Sequence, residues 1–144
     1  MMDDGQKIQK IIETCIRVRY AETDQMGVVY HANYLVWFEV GRVEWLRQNG
    51  FEYKKMEMED DIHIAVVEAA ARYKHPARYD DEVLVRTRLT AVRGFVMKIG
   101  YEIVRAADGK LLCEGETTHV VCDREMQKKT LPEKYLRRFR ELCI

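Results

Sequence analysis

At 144 residues the chain is the size of one domain, large enough to bury roughly 70% of the surface its unfolded form exposes. It is read as a single domain over residues 1–144. Lys+Arg and Asp+Glu are equal at 24 each, which leaves no net field to draw the protein to nucleic acid or to an anionic membrane surface, and no apolar run approaches a membrane span. Cys15, Cys113, Cys122 and Cys143 follow no disulfide-scaffold spacing, and the start MMDDGQKIQK lacks the apolar core of a signal peptide. The expected compartment is therefore a reducing cytoplasm.

Residues 1–10 are polar and expected to fray. From Ile11 to Tyr20 the segment IIETCIRVRY alternates as a first strand, with Ile16 and Val18 on one face and Arg17 and Arg19 on the other. A tight polar loop holding Asp24 and Gly27 follows, and then a helix that opens near His31. Between Tyr34 and Leu46 that helix offers Tyr34, Leu35, Val36, Trp37, Phe38, Val40, Val43, Trp45 and Leu46. Apolar on far more than one stripe, it needs neighbours on most sides, and in so short a chain only a sheet curled around it supplies them. Gly50, just past Arg47, is the expected stop.

The segment FEYKKMEMEDD, from Phe51 to Asp61, fits a short charged helix or a surface loop equally. Ile62, Ile64, Val66 and Val67 begin the next strand, which Pro76 must interrupt or confine to an edge or bulge, and Asp80-Asp81 marks a turn. From Glu82 to Val92, residues Val83, Val85, Thr87, Leu89 and Ala91 share one face. Arg93-Gly94 turns the chain into Phe95 to Arg105, where Phe95, Met97, Ile99, Tyr101 and Ile103 share a face. Asp108-Gly109 predicts a hairpin into Leu111 to Asp123. Pro132 suits the first turn of a terminal helix whose apolar stripe is Tyr135, Leu136, Phe139 and Leu142. Helix and strands are segregated rather than alternating, so the fold class is α+β, an antiparallel sheet wrapped around one long central helix.

The string from Tyr20 to Tyr34, YAETDQMGVVYHANY, resembles the signature of hotdog-fold thioesterases of the 4-hydroxybenzoyl-CoA thioesterase type. Its portion Tyr30-His31-Ala32-Asn33-Tyr34 is most similar to the bacterial acyl-CoA thioesterases found with the Tol-Pal envelope genes. Pro76-Ala77-Arg78-Tyr79-Asp80-Asp81 and Arg93-Gly94 match in the same order, so the likeness spans roughly Val18 to Val121. It implies a hotdog fold in homodimers that often pair into homotetramers, with active sites at the subunit interface and no cofactor. It also implies hydrolysis of a short-chain aliphatic or aromatic acyl-CoA to a free acid and CoA thiol. Residue by residue, the catalytic carboxylate falls on Asp24 and the additional motif tyrosine and histidine fall on Tyr20 and His31, with Gly27, Tyr30, Ala32 and Arg93 around the substrate. Phe95 departs from the pattern, standing where related sequences tend to carry a small hydroxyl residue.

The residues themselves suit that chemistry. Thioester hydrolysis needs water or a nucleophile aimed at the carbonyl carbon and donors where negative charge develops. Asp24 meets the first need, as general base or as a nucleophile forming a mixed anhydride, and both remain open. Backbone N–H groups near His31 and Ala32, at a helix start that attracts negative charge, meet the second. Asn33 is nevertheless the better N-cap by residue type. The bland readings are a turn aspartate at Asp24, a partly buried imidazole satisfied by backbone at His31, and packing plus one hydrogen bond at Tyr20. Glu39 and Arg42 are most simply an ion pair or polar anchors to a partner subunit.

No metal site emerges, because strand alternation sets Cys113 and His119 on one face and Cys122 on the other. The chain contains no serine for a Ser-His-Asp triad. Arg72, Lys74, Arg88, Arg93 and Lys98 are the candidate cations for CoA phosphates. Lys134, Arg137, Arg138 and Arg140 flank the terminal stripe, where an acyl carrier protein would meet the chain. The rival functions are a hydratase or dehydratase on the same fold, and a non-catalytic acyl-binding or scaffold protein.

Overall fold

Strand alternation and glycine-bearing hairpin turns lay down most of the architecture of the computed structural model, which describes residues 9–144. The start expected to fray lies, over residues 1–8, outside the described residues. In chain order the elements are β1 (Ile11–Arg17), a 3-10 turn at Tyr20–Glu22, α1 (Asn33–Gln48), α2 (Tyr53–Glu59), β2 (His63–Tyr73), β3 (Glu82–Arg93), β4 (Val96–Arg105), β5 (Leu111–Cys122) and α3 (Glu133–Leu142). The strands form one antiparallel sheet in the order β1-β3-β4-β5-β2. Gly94 and Gly109 take the left-handed backbone in the two hairpin turns, at φ +60° and +73°, a conformation that costs glycine little.

The inner face of the sheet carries Val83, Val85, Thr87 and Leu89 from β3, Met97, Ile99, Tyr101 and Ile103 from β4, and Cys113, Thr117, His119 and Val121 from β5, all buried. Against it α1 sets Tyr34, Trp37, Phe38, Gly41, Trp45 and Leu46. Phe38 stacks on Tyr101 with ring centroids 4.2 Å apart. Gly41 is the point of closest approach: an ideal Cβ there would stand 2.5 Å from Thr87 Oγ1 and 2.7 Å from Val85 Cγ1.

The helix is not enclosed on most sides, as its composition led us to expect. It packs chiefly on β1 and β3, and Leu35, Val36 and Val40 remain 40%, 48% and 37% exposed. Among the described residues, nothing covers that flank of α1 or the exposed Val66 and Val67 of β2. Nor do Glu39 and Arg42 pair; Arg42 instead reaches the Tyr101 hydroxyl at 3.5 Å, because it lies on the sheet side of the helix. Phe51 to Asp61, open between helix and loop, contains α2 anchored by the buried Met56. Pro132 stands at the N-cap of α3, whose Leu136, Phe139 and Leu142 enter the core, with Phe139 stacked on Phe51 at 4.2 Å.

The outer face of the sheet is charged. Glu13, Arg86, Glu102, Glu114 and Arg72 stand opposite one another in a row across all five strands. Arg86 pairs with Glu13, Arg88 with Glu102, and Arg72 with Glu114 and Glu116. Strand β2 ends at Tyr73, before Pro76, and among the described residues pairs only with β5, which leaves its other edge open. A bulge between Val66 and Glu68 leaves Val66 and Val67 exposed on that edge. Among the described residues no helix is long and apolar enough to cross a membrane.

Candidate active site

Asp24 opens a turn that it also closes. Its N–H donates to the Val28 carbonyl at 2.8 Å and its carbonyl accepts from Gly27 at 3.0 Å. Its Oδ1 accepts from the N–H of Met26 at 2.9 Å and, more weakly, of Val28 at 3.4 Å. Gly27 supplies the positive φ, +80°, that the turn requires. Among the described residues no donor reaches Asp24 Oδ2, so one carboxylate oxygen is fixed while the other stays available. The turn aspartate and the candidate catalyst are thus compatible readings of one side chain.

The turn is bolted to the body of the protein on both sides. Val29 N–H donates to Ala77 O at 2.9 Å. Behind the turn, the Glu22 carbonyl accepts from Tyr30 N–H and from the Asn33 side-chain amide, each at 2.9 Å. Asn33 is therefore the first residue of α1 and not its cap; Ala32 holds the cap position. The Glu22 carboxylate is buried and accepts from the Trp37 indole N–H at 2.9 Å and from Arg19 N–H at 2.8 Å. Burial works to raise this carboxyl, yet those donors and the Arg19 charge together hold it below its usual range.

Because α1 begins at Asn33, two residues later than expected, His31 and Ala32 lie on the approach to the helix. Their N–H groups find no acceptor among the described residues. The His31 ring is exposed, not partly buried, and rests on Tyr30 with centroids 4.5 Å apart. Its carbonyl accepts the hydroxyl of Tyr73, from the end of β2, at 3.0 Å. Tyr34, one turn on, is buried and its oxygen accepts from Ala77 N–H at 3.2 Å.

These residues enclose a cleft of about 300 Å³ lined by Asp24, Val28, Val29, His31, Tyr34, Tyr73, Lys74, His75 and Pro76. Burial pushes both the Tyr34 and Tyr73 phenols up, so they are neutral hydroxyls at physiological pH. Cys113, the register partner of Tyr73, is pushed up by burial to about 11 and stays a thiol, which removes it as a nucleophile.

Of the residues singled out from sequence, Asp24 and His31 line the cleft, whereas Gly27, Tyr30 and Ala32 neighbour them along the chain without lining it. Tyr20 does not join them: it is 76% exposed and packs edge-on against Tyr79 at 5.3 Å. Arg93 stands at the exposed β3–β4 turn, away from the cleft lining. Of the candidate cations only Lys74 reaches it, while Arg72, Arg88 and Lys98 line a separate depression on the outer sheet face. Sequence reading missed Tyr73, His75 and Glu22. Nothing local marks them, since each acts on residues far along the chain or from beneath the surface.

The five-stranded sheet laid over one helix meets its counterpart in known proteins. The model of the thioesterase-like superfamily matches residues 18–139. The chain belongs to the thioesterase-like superfamily. Among thioesterase relatives, the putative acyl-CoA thioesterase YneP of Bacillus subtilis is 43% identical over 113 residues, covering 78% of this chain and 80% of that protein. The acyl-CoA thioester hydrolase YbgC of Escherichia coli O6:H1 is 34% identical over 127 residues, covering 88% and 93%. The crystal structure of the hypothetical protein TT1821 from Thermus thermophilus superposes with a TM-score of 0.86 at 36% identity, covering 93% of this chain and 98% of that one. The fold expected from the motif, the hotdog fold, is thereby shown. Among the described residues no three His, Cys, Asp or Glu side chains converge as a metal site.

Proposed function

We propose that this chain hydrolyses the thioester of an acyl-CoA, releasing a free acid and CoA thiol, with Asp24 as general base or nucleophile. The observation that carries this reading is the cleft lined both by Asp24, whose Oδ2 has no donor among the described residues, and by His31 on the approach to α1. The carbonyl carbon of a bound thioester lies within reach of Asp24 or of a water it activates, and the carbonyl oxygen, as it becomes negative, meets the N–H groups of His31 and Ala32. Lys74, half-committed to Glu114 at 3.7 Å, and His75 stand at the rim, where they can meet the phosphates of CoA. The family membership supports the reaction class. The acyl-binding alternative shares every surface feature but has no use for Asp24 as a reactive group.

The working unit in this reading is a homodimer. The open edge of β2 offers unpaired backbone groups, and Val66, whose register partner is the inward-facing His119, is exposed beside it. The uncovered α1 residues Leu35, Val36 and Val40 continue the same apolar band. A second copy pairing its β2 with this one extends the sheet and covers the band. In this reading the cleft lies at the subunit interface, and dimers pair further into tetramers. The apolar stripe of α3 is committed to the core, so an acyl carrier protein would meet only its charged flank. Cytoplasmic location remains part of the proposal.

The test is thiol release from short aliphatic, long aliphatic and aromatic acyl-CoAs by wild type and Asp24→Asn. We expect at least one ester to turn over and the variant, folded as shown by circular dichroism, to lose activity by ~10³ or more. A wild type inert on every ester, or a fully active variant, would sink the reading; CoA-ester binding that survives Asp24→Asn without turnover would favour the acyl-binding alternative.

A further inference from the structure

We infer that Tyr73 is a positioning residue for the proposed hydrolysis, acting through the peptide that joins His31 to Ala32. The inference rests on the thioesterase reading of the cleft. The hydroxyl of Tyr73 donates to His31 O at 3.0 Å across 42 residues of sequence. That carbonyl and the Ala32 N–H are the two ends of one planar, conjugated peptide group. A donor at the oxygen draws electron density through the group and makes the N–H a stronger donor in its turn. The Ala32 N–H is one of the two groups placed to receive the developing oxyanion, and it has no other acceptor among the described residues.

The same bond also aims the peptide. Among the described residues, His31 O accepts otherwise only from Tyr34 N–H, at a long 3.4 Å, so the helix alone holds this carbonyl loosely. Tyr73 holds it from outside the helix, and Tyr73 is itself secured at the end of β2 opposite Cys113. Its ring lies between those of His31, 6.2 Å away, and Tyr34, 5.3 Å away. The Tyr34 oxygen in turn accepts from Ala77 N–H. Two tyrosines thus tie the start of α1 to the end of β2 and to the segment that follows it. Tyr73 is 48% exposed, so water replaces its hydroxyl at His31 O when it is removed. The fold then keeps its bond while the peptide loses a fixed partner.

The experiment compares wild type, Tyr73→Phe and a protein carrying 3-fluorotyrosine at position 73 by site-directed incorporation, at pH 6.5, on whichever ester the panel identifies. Tyr73→Phe keeps the ring and removes the donor. Its kcat should fall roughly 5- to 20-fold, the scale of one lost hydrogen bond, with KM within about twofold and the melting temperature unchanged. Fluorination makes the phenol a stronger donor, so kcat should rise above wild type, a change that packing does not produce. An unchanged kcat in Tyr73→Phe, or a loss expressed only in KM, overturns the inference. If Tyr73→Phe fails to fold, the fluorinated protein decides alone: a raised kcat supports the role, and an unchanged or lowered kcat overturns it. A wild type that turns over esters through Asp24 while Tyr73→Phe matches it refutes Tyr73 and leaves the thioesterase reading standing, whereas an inert wild type removes both.

Discussion

Asp24 uses one carboxylate oxygen to shape its own turn and leaves the other without a partner among the described residues, and that division is legible in sequence because every contact found lies within four residues. Tyr73 is the opposite case. Its partner is brought to it by strand register and by the path of the chain around the cleft, so nothing in the string ARYKHP distinguishes it from an ordinary strand tyrosine. His119 is a third kind of residue, readable as inward-facing but not as titratable. It is fully buried, bonded through Nε2 to Thr117 Oγ1 at 2.7 Å, with Nδ1 unpartnered. Burial, aided by the Arg42 charge, lowers its pKa to about 4. Below about pH 6.5 the unfolded chain therefore binds a proton that the folded chain refuses, so stability falls as pH drops from about 6.5 towards 4, by a total on the order of 3 kcal/mol. Urea midpoints at pH 7 and pH 4.5 should show a larger loss in wild type than in His119→Leu; equal losses would assign the effect to other groups.

At the scale of elements, the strands β3, β4 and β5 could be read almost residue by residue, because each has one face buried and each hairpin carries its glycine. Helix α1 was harder. Its unusually broad apolar surface is real, but composition does not say which part faces the chain's own sheet and which part stays exposed. The seam is marked by Gly41, where the helix backbone rides directly over Thr87 and Val85. Gly41→Ala places a methyl where no space exists, and although alanine favours helix by about 1 kcal/mol, forced repacking of the core should outweigh it. We expect a net loss of roughly 1–2 kcal/mol, read as a lowered urea midpoint, with thioester turnover per folded molecule retained. A variant as stable as wild type would show that α1 can lift off the sheet without cost.

For the whole molecule, what one chain lacks is as informative as what it holds. Among the described residues, an edge strand leaves Val66 and Val67 exposed, α1 leaves Leu35, Val36 and Val40 exposed, and Tyr20 stands outside the cleft lining. The proposed dimer accounts for these features together, and one sequence does not display it because both halves of such an interface would be the same residues. The double variant Val36→Glu, Val40→Glu should sediment as a monomer and lose most of its turnover while keeping its secondary structure. A fully active monomer would show the single-chain cleft to be sufficient.

The ion-pair row on the outer face of the sheet bears on how substrate arrives. Arg72, Arg86 and Arg88 there each have a counter-charge within 3.5 Å, and the chain as a whole carries a formal net charge of +0. At distances beyond about 10 Å, the Debye length at 0.1 M salt, an approaching polyanion such as CoA meets almost no field. Capture then depends on collision and on short-range contacts at the rim, with association on the order of 10⁵–10⁷ M⁻¹s⁻¹ rather than the steered limit. kcat/KM should accordingly change less than about threefold between 20 and 300 mM salt, and a steep decline would reveal a directed electrostatic funnel that only the assembled oligomer creates.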